Sequence, residues 1–174
     1  MNIELTPDIT AADMPLLEKL YEESFPVEER RPWALIADPS KKDCPKLYAI
    51  IADGHIAGML TLWSFDHFAY IEHLTVNPSL RGKGVGSEAM RQLIEKIGMK
   101  PLVVEIEPPT ENIPDTLRRL DFYTKLGFQT IATDYIQPPY TASLPSVPMH
   151  LLATAFLPVG STSSTLYHEV YGQS

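Results

Sequence analysis

The chain has 174 residues, of which 44% are hydrophobic and 21% are charged, proportions that are typical of a globular domain rather than of a disordered chain. Its formal net charge of −8 disfavours nonspecific nucleic-acid binding, which depends on lysine and arginine, and favours a cationic partner such as an amine. The sequence contains neither the roughly 20 continuous apolar residues that span a bilayer nor a secretory signal pattern, so we expect a single cytoplasmic domain over residues 1–174 with no membrane partner.

The N-terminal part shows helical periodicity. Thr10 and Asp13 have the spacing of a capping pair, and apolar residues then recur at helical intervals, which predicts a first helix over about residues 12–23. Pro26 ends this helix. The charged residues 28–31 that follow form a second segment, which is either a short helix or irregular.

Three consecutive strands are predicted next. Residues 47–52 and 56–65 are rich in strand-forming side chains, and Asp53-Gly54 between them suits the positive backbone angles of a tight hairpin turn. These two strands should therefore pair antiparallel. Residues 68–76 form the third strand and lead into a glycine-containing loop.

The second half begins with a crossover. Apolar residues on one face predict a helix over residues 85–97, and residues 101–107 have the composition of a strand. Because a strand–helix–strand crossover normally joins parallel strands, the sheet should be mixed.

The remaining elements complete the expected fold. A helix is predicted over about residues 117–126, followed by strands over residues 128–135 and 149–156. Residues 160–164 should be a loop, and residues 166–171 a short strand or an extended edge. The prediction is an α/β (α+β) fold with a mixed, mostly antiparallel central sheet of about six to seven strands, flanked by about four helices.

The loop from Arg81 to Ser87 is the most informative local feature. It lies between a predicted strand and a predicted helix, where free amides and the positive end of the helix dipole form an anion site. A dinucleotide-binding loop would need a third glycine where Ser87 stands, and a phosphate-binding P-loop would need Gly-Lys-Ser/Thr after a longer gap. Neither pattern is present.

Two motifs resemble one known family. Arg81, Gly84 and Gly86 match the Arg-x-x-Gly-x-Gly signature of the GNAT superfamily of N-acetyltransferases. The later segment Phe122–Phe128, which carries Tyr123 and ends in Gly-Phe, is similar to a second motif of that family and follows in the expected order. The resemblance covers about residues 3–156 and leaves residues 157–174 as a C-terminal tail.

The resemblance implies that acetyl-CoA is the co-substrate. It implies that the backbone of Leu74, Thr75 and Val76 binds the pantetheine arm and the acetyl carbonyl, and that Arg81 supplies positive charge. The loop residues expected to wrap the pyrophosphate are Gly82, Lys83, Gly84, Val85, Gly86 and Ser87, with Lys83 either contributing charge or lying in a solvated turn.

The resemblance and the chemistry of acetyl transfer together suggest three catalytic side chains. Tyr123 matches the family's tyrosine that donates a proton to the departing sulfur. A lysine-like amine, with a pKa near 10.4, needs a base before it can attack, and Glu105 and Glu72 on neighbouring strands are the candidates. Glu105 is preferred, because it corresponds to a strand carboxylate that acts as the base in some GNAT enzymes. Each carboxylate could instead be solvated or paired with Arg118 or Arg119.

The expected function is direct transfer of an acetyl group to a primary amine in a ternary complex. The amine could belong to a small molecule or to a protein, and GNAT proteins are often homodimers. The histidines lack the spacing of metal ligands, so no metal is expected. Two alternatives stay open: a non-catalytic acyl-CoA-binding regulatory module of the same fold, and a nucleotide-binding switch protein.

Overall fold

The computed structural model describes residues 1–38, 40 and 43–173. Its strands are β1 (Ile3–Thr6), β2 (Lys46–Ala52), β3 (His55–Ser64), β4 (Ala69–Val76), β5 (Leu102–Ile106), β6 (Gln129–Gln137) and β7 (Val147–Ala153). Within the described residues these seven strands form one sheet in the order β1-β2-β3-β4-β5-β7-β6. The β4–β5 pair is parallel and all other neighbours are antiparallel, which confirms the predicted mixed sheet.

Helices cover both faces of this sheet. They are α1 (Met14–Ser24), α2 (Val85–Ile97), α3 (Pro114–Lys125) and α4 (Val159–Thr165), with a π-helical turn over Leu166–Val170 and 3₁₀ turns at Val27–Glu29, Trp33–Leu35 and Pro78–Leu80. Met90 and Leu93 of α2 pack with Tyr123 of α3 against one face. Leu17 of α1 and Leu166 of the π-helical turn lie in clusters on the other face. None of the described helices has the length and apolarity needed to cross a lipid bilayer.

The predicted hairpin and crossover are both present. Asp53 and Gly54 have φ angles of 48° and 82°, and Ala52 pairs directly with His55 across the turn. The chain leaves β4, passes through the glycine-containing loop into α2 and returns as β5, so the loop lies at the C-terminal end of β4. This placement is what positions the candidate site.

The prediction for the C-terminal tail was wrong. Residues 160–164, expected to be a loop, lie within α4, and residues 166–171, expected to be a strand or an extended edge, are mostly the π-helical turn. Leu166 and Val170, four residues apart, are both buried against the sheet. Burial of this helical face outweighs the weak helix propensity of the serine- and threonine-rich segment before it. The last residue of the tail, Ser174, lies outside the described residues.

Strand β1 was not predicted as a separate element. It has four residues and precedes Pro7, so it offers no window long enough to show an alternating pattern. Its partner makes it a strand, because Ile3 to Thr6 pair antiparallel with Ala52 to Ala49 of β2.

Candidate functional site

A gap opens in the sheet between β4 and β5. The two strands pair only from Ala69 opposite Leu102 to Ile71 opposite Val104, whereas β4 continues to Val76 with β3 as its partner in the described structure. The C-terminal half of β4 therefore has no strand on the β5 side, and its edge there faces a cleft.

A β-bulge at Glu72 marks the point where the strands part. Thr61 of β3 faces His73, but the next residue, Leu62, faces Ile71, so Glu72 is an extra residue on β4. A bulge bends its strand and redirects the neighbouring side chains. Here it turns the end of β4 away from β5.

Two main-chain amides of β4 point into this gap. The Asn77 nitrogen donates to the Ala57 carbonyl of β3 at 2.8 Å. Because successive amides of a strand point to opposite sides, those of Leu74 and Val76 point away from β3. They are available as donors to a ligand carbonyl.

The glycine-containing loop supplies further donors. Gly82 and Gly84 have φ angles of 74° and 82°, a conformation that residues with a Cβ rarely adopt. Gly84 ends the loop, and its carbonyl accepts the helical hydrogen bond from Glu88 at 2.9 Å. Within the described part of the chain, none of the main-chain nitrogens of residues 82–87 donates a hydrogen bond. The loop therefore presents free N–H groups at the N-terminus of α2.

These groups line a cleft of about 720 Å³. Its lining residues include Leu74, Thr75, Val76, Arg81, Gly82, Gly84, Val85, Gly86 and Ser87, all of which were predicted to contact the cofactor. Lys83 is exposed and lies outside the cleft wall. The structure thus brings the predicted cofactor residues together, apart from Lys83.

The cleft is locally basic although the chain is acidic. Arg81 lies on the loop side, where its Nε donates to the Val76 carbonyl at 3.1 Å. Arg118 and Arg119 of α3 line the opposite wall. Each of them is paired with one carboxylate, Asp115 and Glu107 respectively, and both pairs are substantially exposed. The sequence had suggested these two arginines only as partners for the candidate bases.

Tyr123 lies where the cleft meets a second cavity. Its side chain lines both, and burial raises the pKa of its phenol to about 12. The ring packs edge-on against Phe122 and Phe128, which fixes its orientation. The hydroxyl makes no hydrogen bond to any other described residue, so this donor is free.

The second cavity is small and rich in carboxylates. Its volume is about 50 Å³, and it lies against the bulge of β4 and the end of β5. The carboxylate-bearing residues in its wall are Glu29, Glu72, Glu105 and Glu107. Such a wall favours a cation, and in particular an ammonium group.

Glu72 is fully engaged within the protein. Its Oε1 accepts hydrogen bonds from Arg31 Nε and Tyr140 Oη, both at 2.9 Å, and its Oε2 accepts one from Trp63 Nε1 at 2.8 Å. The Glu72 side chain has no exposed area, and that of Arg31 is 7% exposed. The Arg31 guanidinium also lies between the rings of Trp63 and Tyr140 and donates to the Val170 carbonyl at 2.6 Å.

Glu105 is held by tyrosines rather than by a cation. Tyr171 Oη donates to its two carboxylate oxygens, at 2.9 and 3.1 Å, and Tyr171 Oη lies 3.2 Å from Tyr70 Oη. Burial raises the pKa of Glu105 to about 7, although the surrounding tyrosine hydroxyls act in the opposite direction. At neutral pH this carboxylate can therefore gain or release a proton.

Glu29 is a site residue to which the sequence assigned no catalytic role. Burial, followed by repulsion from Glu107, raises the pKa of Glu29 to about 7. Its carboxylate makes no hydrogen bond or ion pair with another described residue, while its main-chain carbonyl accepts from His73 Nε2 at 2.8 Å. In the sequence, Glu29 belongs to a group of acidic residues near the end of the first helix, Glu22, Glu23, Glu28 and Glu29, which is equally consistent with a cationic ligand and with a solvated face.

The sequence also missed the groups that organise the cavity. Arg31, Tyr140 and Tyr171 come from segments without a regular hydrophobic pattern, and they meet only in the folded chain. Among the described residues, no group of three or more histidine, cysteine, aspartate or glutamate side chains is arranged to hold a metal ion.

Comparison with known proteins gives one consistent result. The family model described as the acetyltransferase (GNAT) family matches residues 14–128. YjbC of Bacillus subtilis (strain 168), a protein named as a candidate acetyltransferase, is 33% identical over 112 residues, which are 64% of this chain and 55% of YjbC. The match thus spans about half the length of that curated relative.

Solved structures agree with the family model. A GNAT-family protein from Bacteroides thetaiotaomicron, also named as a candidate acetyltransferase, is 32% identical and superposes with a TM-score of 0.84, covering 98% of this chain and 99% of that chain. A GNAT acetyltransferase from Elizabethkingia anophelis, solved with acetyl-CoA bound, is 20% identical with a TM-score of 0.59, covering 89% of this chain and 99% of that chain. The second likeness shows a shared fold.

The buried Arg31–Glu72 pair gives a stability prediction. Arg31→Met leaves the Glu72 carboxylate buried without its cation, so we expect the free energy of unfolding to fall by about 3–5 kcal/mol in urea titrations. Adding Glu72→Gln to that variant should restore part of the loss. Lys19→Met is the matched control, because it breaks the exposed Lys19–Glu23 pair, and it should change stability little. Equal losses for Arg31→Met and Lys19→Met would contradict this account.

Proposed function

Because the chain belongs to the acetyltransferase (GNAT) family, we propose that it transfers the acetyl group of acetyl-CoA directly to a primary amine within a ternary complex. The observation that carries the proposal is the position of Tyr123. Its free hydroxyl lies where a basic cleft with unpaired amides meets a cavity lined by carboxylates. A polyanionic thioester and an amine would meet at this point.

The cleft suits coenzyme A by its donors and by its charge. The amides of residues 82–87 and the N-terminus of α2 would bind the pyrophosphate, and Arg81, Arg118 and Arg119 would oppose the overall negative charge at short range. The amides of Leu74 and Val76 would bind the pantetheine arm and the thioester carbonyl. Exposed charges farther away are screened over about 8 Å at physiological salt, so these local donors dominate.

The chemistry is that of acyl transfer. The neutral amine nitrogen attacks the thioester carbonyl carbon, and the negative charge that develops on the carbonyl oxygen is stabilised by the β4 amides. The carbon–sulfur bond then breaks, and the thiolate takes a proton from Tyr123 or accepts its hydrogen bond. An amine that arrives as an ammonium gives one proton to a carboxylate in the small cavity before it attacks, and the second proton, released from nitrogen as the amide forms, restores Tyr123 or protonates the thiolate.

We assign the base role to Glu105 rather than to Glu72. Glu105 has a pKa near 7 and lies in the wall of the cavity. Glu72 also lies there, but both of its oxygens already accept hydrogen bonds and its charge is neutralised by Arg31. Its role in this proposal is to hold the bulge of β4 in place.

Tyr123→Phe is the direct test of the site. It removes the free hydroxyl without changing the packing of the ring, so kcat should fall about a hundredfold while the Kd of acetyl-CoA stays the same. Thiol release with a panel of amines measures kcat, and calorimetry measures the Kd of acetyl-CoA. Tyr167→Phe, in the C-terminal tail, is the control and should behave as wild type.

The same assay separates the proposal from its alternative. Saturable acetyl-CoA binding without thiol release from any amine would overturn catalysis and favour a non-catalytic acyl-CoA-binding module. Full activity in Tyr123→Phe would show that the Tyr123 hydroxyl is not the donor to the leaving thiolate.

Gly84→Glu tests the loop. The new side chain would add bulk and negative charge beside the phosphate-binding amides at a backbone position with φ of 82°, so we expect acetyl-CoA binding to be lost. Gly98→Glu is the matched control, because Gly98 ends α2 with φ of 67° but lies outside the cleft wall. Both variants should lose some stability, and only Gly84→Glu should lose cofactor binding. Equal affinity in Gly84→Glu and wild type would refute the loop assignment.

Tyr171→Phe tests the assignment of the base through pH. Tyr70, Tyr135, Tyr171 and Glu72 surround the Glu105 carboxylate, and the Tyr171 hydroxyl stabilises its charged form. Without that hydroxyl the pKa of Glu105 should rise further, so the rise of kcat with pH should move to higher pH by about one unit. Tyr167→Phe should leave the profile unchanged. An unshifted profile in Tyr171→Phe would count against Glu105 as the base.

A further inference from the structure

The small cavity beyond Tyr123 limits what can react. This inference rests on the proposed function, in which the acceptor amine reaches the thioester through that cavity. A water molecule needs at least about 10–15 Å³, so a cavity of about 50 Å³ has room for roughly three to five heavy atoms. Only the reacting end of the acceptor fits inside.

Gln137 contributes to the wall of this cavity and carries an unused donor. Its side chain lines the cavity and is 3% exposed, and its amide nitrogen is buried without a hydrogen-bond partner in the described part of the chain. Buried polar groups in folded proteins are nearly always paired, so an unpaired one next to a ligand cavity calls for a ligand atom as its partner. The atom that satisfies an N–H donor is a hydrogen-bond-accepting oxygen.

Glu29 supplies the complementary charge in the same cavity. The other carboxylates that line the cavity already have partners: Arg31 for Glu72, Tyr171 for Glu105 and Arg119 for Glu107. Of these described carboxylates, Glu29 alone keeps its oxygens free for an incoming ammonium group.

The segment that carries Glu29 is fixed in place. His73 Nε2 donates to the Glu29 main-chain carbonyl, and Thr61 Oγ1 lies 3.3 Å from the other ring nitrogen. The imidazole ring also packs edge-on against Tyr21 and Phe25. The free carboxylate is therefore presented from a rigid support.

We propose that the acceptor is a primary amine that carries a hydrogen-bond-accepting oxygen two carbons from the nitrogen, with Glu29 binding the ammonium and Gln137 binding the oxygen. The fragment N–C–C–O has four heavy atoms and matches the room in the cavity. Amino alcohols and aminoacyl amides share this fragment. An alkylamine of the same size would fill the cavity but would leave the Gln137 amide unpaired.

Matched amines test the inference without any substitution. Ethanolamine and propylamine have the same shape and differ in one oxygen, and glycinamide and isobutylamine form the corresponding aminoacyl pair. Thiol release by the full chain with acetyl-CoA gives kcat/KM for each, compared per concentration of neutral amine. The oxygen-bearing member of at least one pair should be preferred about tenfold or more. A preference in the first pair identifies amino alcohols, and one in the second identifies aminoacyl amides.

Variants then assign the preference to residues. In Gln137→Met the ratio of kcat/KM between the two amines of the preferred pair should fall to about one. Gln129 is an exposed glutamine on the same strand, so Gln129→Met should keep the wild-type ratio. Glu29→Gln should raise KM for both members of the pair about tenfold and leave the Kd of acetyl-CoA unchanged.

Two results would overturn the inference. One is equal kcat/KM within both pairs for the wild-type protein, and the other is a preference that survives in Gln137→Met; in either case the proposed acetyl transfer would stand. If acetyl-CoA binds but no amine releases thiol, the proposed function fails and this inference fails with it.

Discussion

The buried ion pair between Arg31 and Glu72 is the interaction on which the site depends. Taking both charges out of water is costly, and the cost is offset only if every remaining donor and acceptor is paired. The surroundings meet much of that requirement: Trp63 and Tyr140 donate to the remaining acceptor sites of the carboxylate, and the Val170 carbonyl accepts a hydrogen bond from the guanidinium. The pair therefore ties the segment after α1, the bulge of β4, the loop after β6 and the C-terminal tail into one arrangement.

This arrangement places two opposite electrostatic environments side by side. The cleft carries arginines and unpaired amides, which suit phosphates, while the adjoining cavity carries carboxylates, which suit a cation. Arg119 lies at the boundary and lines both, while its partner Glu107 lines the cavity. Because screening limits each environment to short range, the net charge of −8 does not exclude a polyanionic ligand from the cleft. The two ligands of the proposed reaction would be sorted by charge on either side of Tyr123.

The sequence predicted what is encoded locally. The Asp53-Gly54 turn, the alternating strands and the glycines at positive φ each leave a signal within a few residues, so the sheet and the residues that line the large cleft were predictable. Tyr123, Glu72 and Glu105 of the small cavity were predicted, but Glu29 and the groups that organise the cavity were not, because they come from distant segments and meet only through the pairing of a buried charge. Nothing near Arg31 in the chain indicates that Glu72 is its partner. The tail was mispredicted for the same reason: its helical turn is stabilised by tertiary burial of Leu166 and Val170.

The two carboxylates with a pKa near 7 give the cavity a property that ordinary acidic residues would lack. Burial raises the pKa of both Glu29 and Glu105, so at neutral pH the cavity holds less negative charge than two ordinary glutamates would carry. An entering ammonium group favours the charged form of a nearby carboxylate and lowers its pKa. Binding of the amine would thus create the base that later removes its proton. The energetic cost of buried charge would then arise when the substrate is present to offset it, which explains how a site built around one buried ion pair can accommodate further ionisable groups.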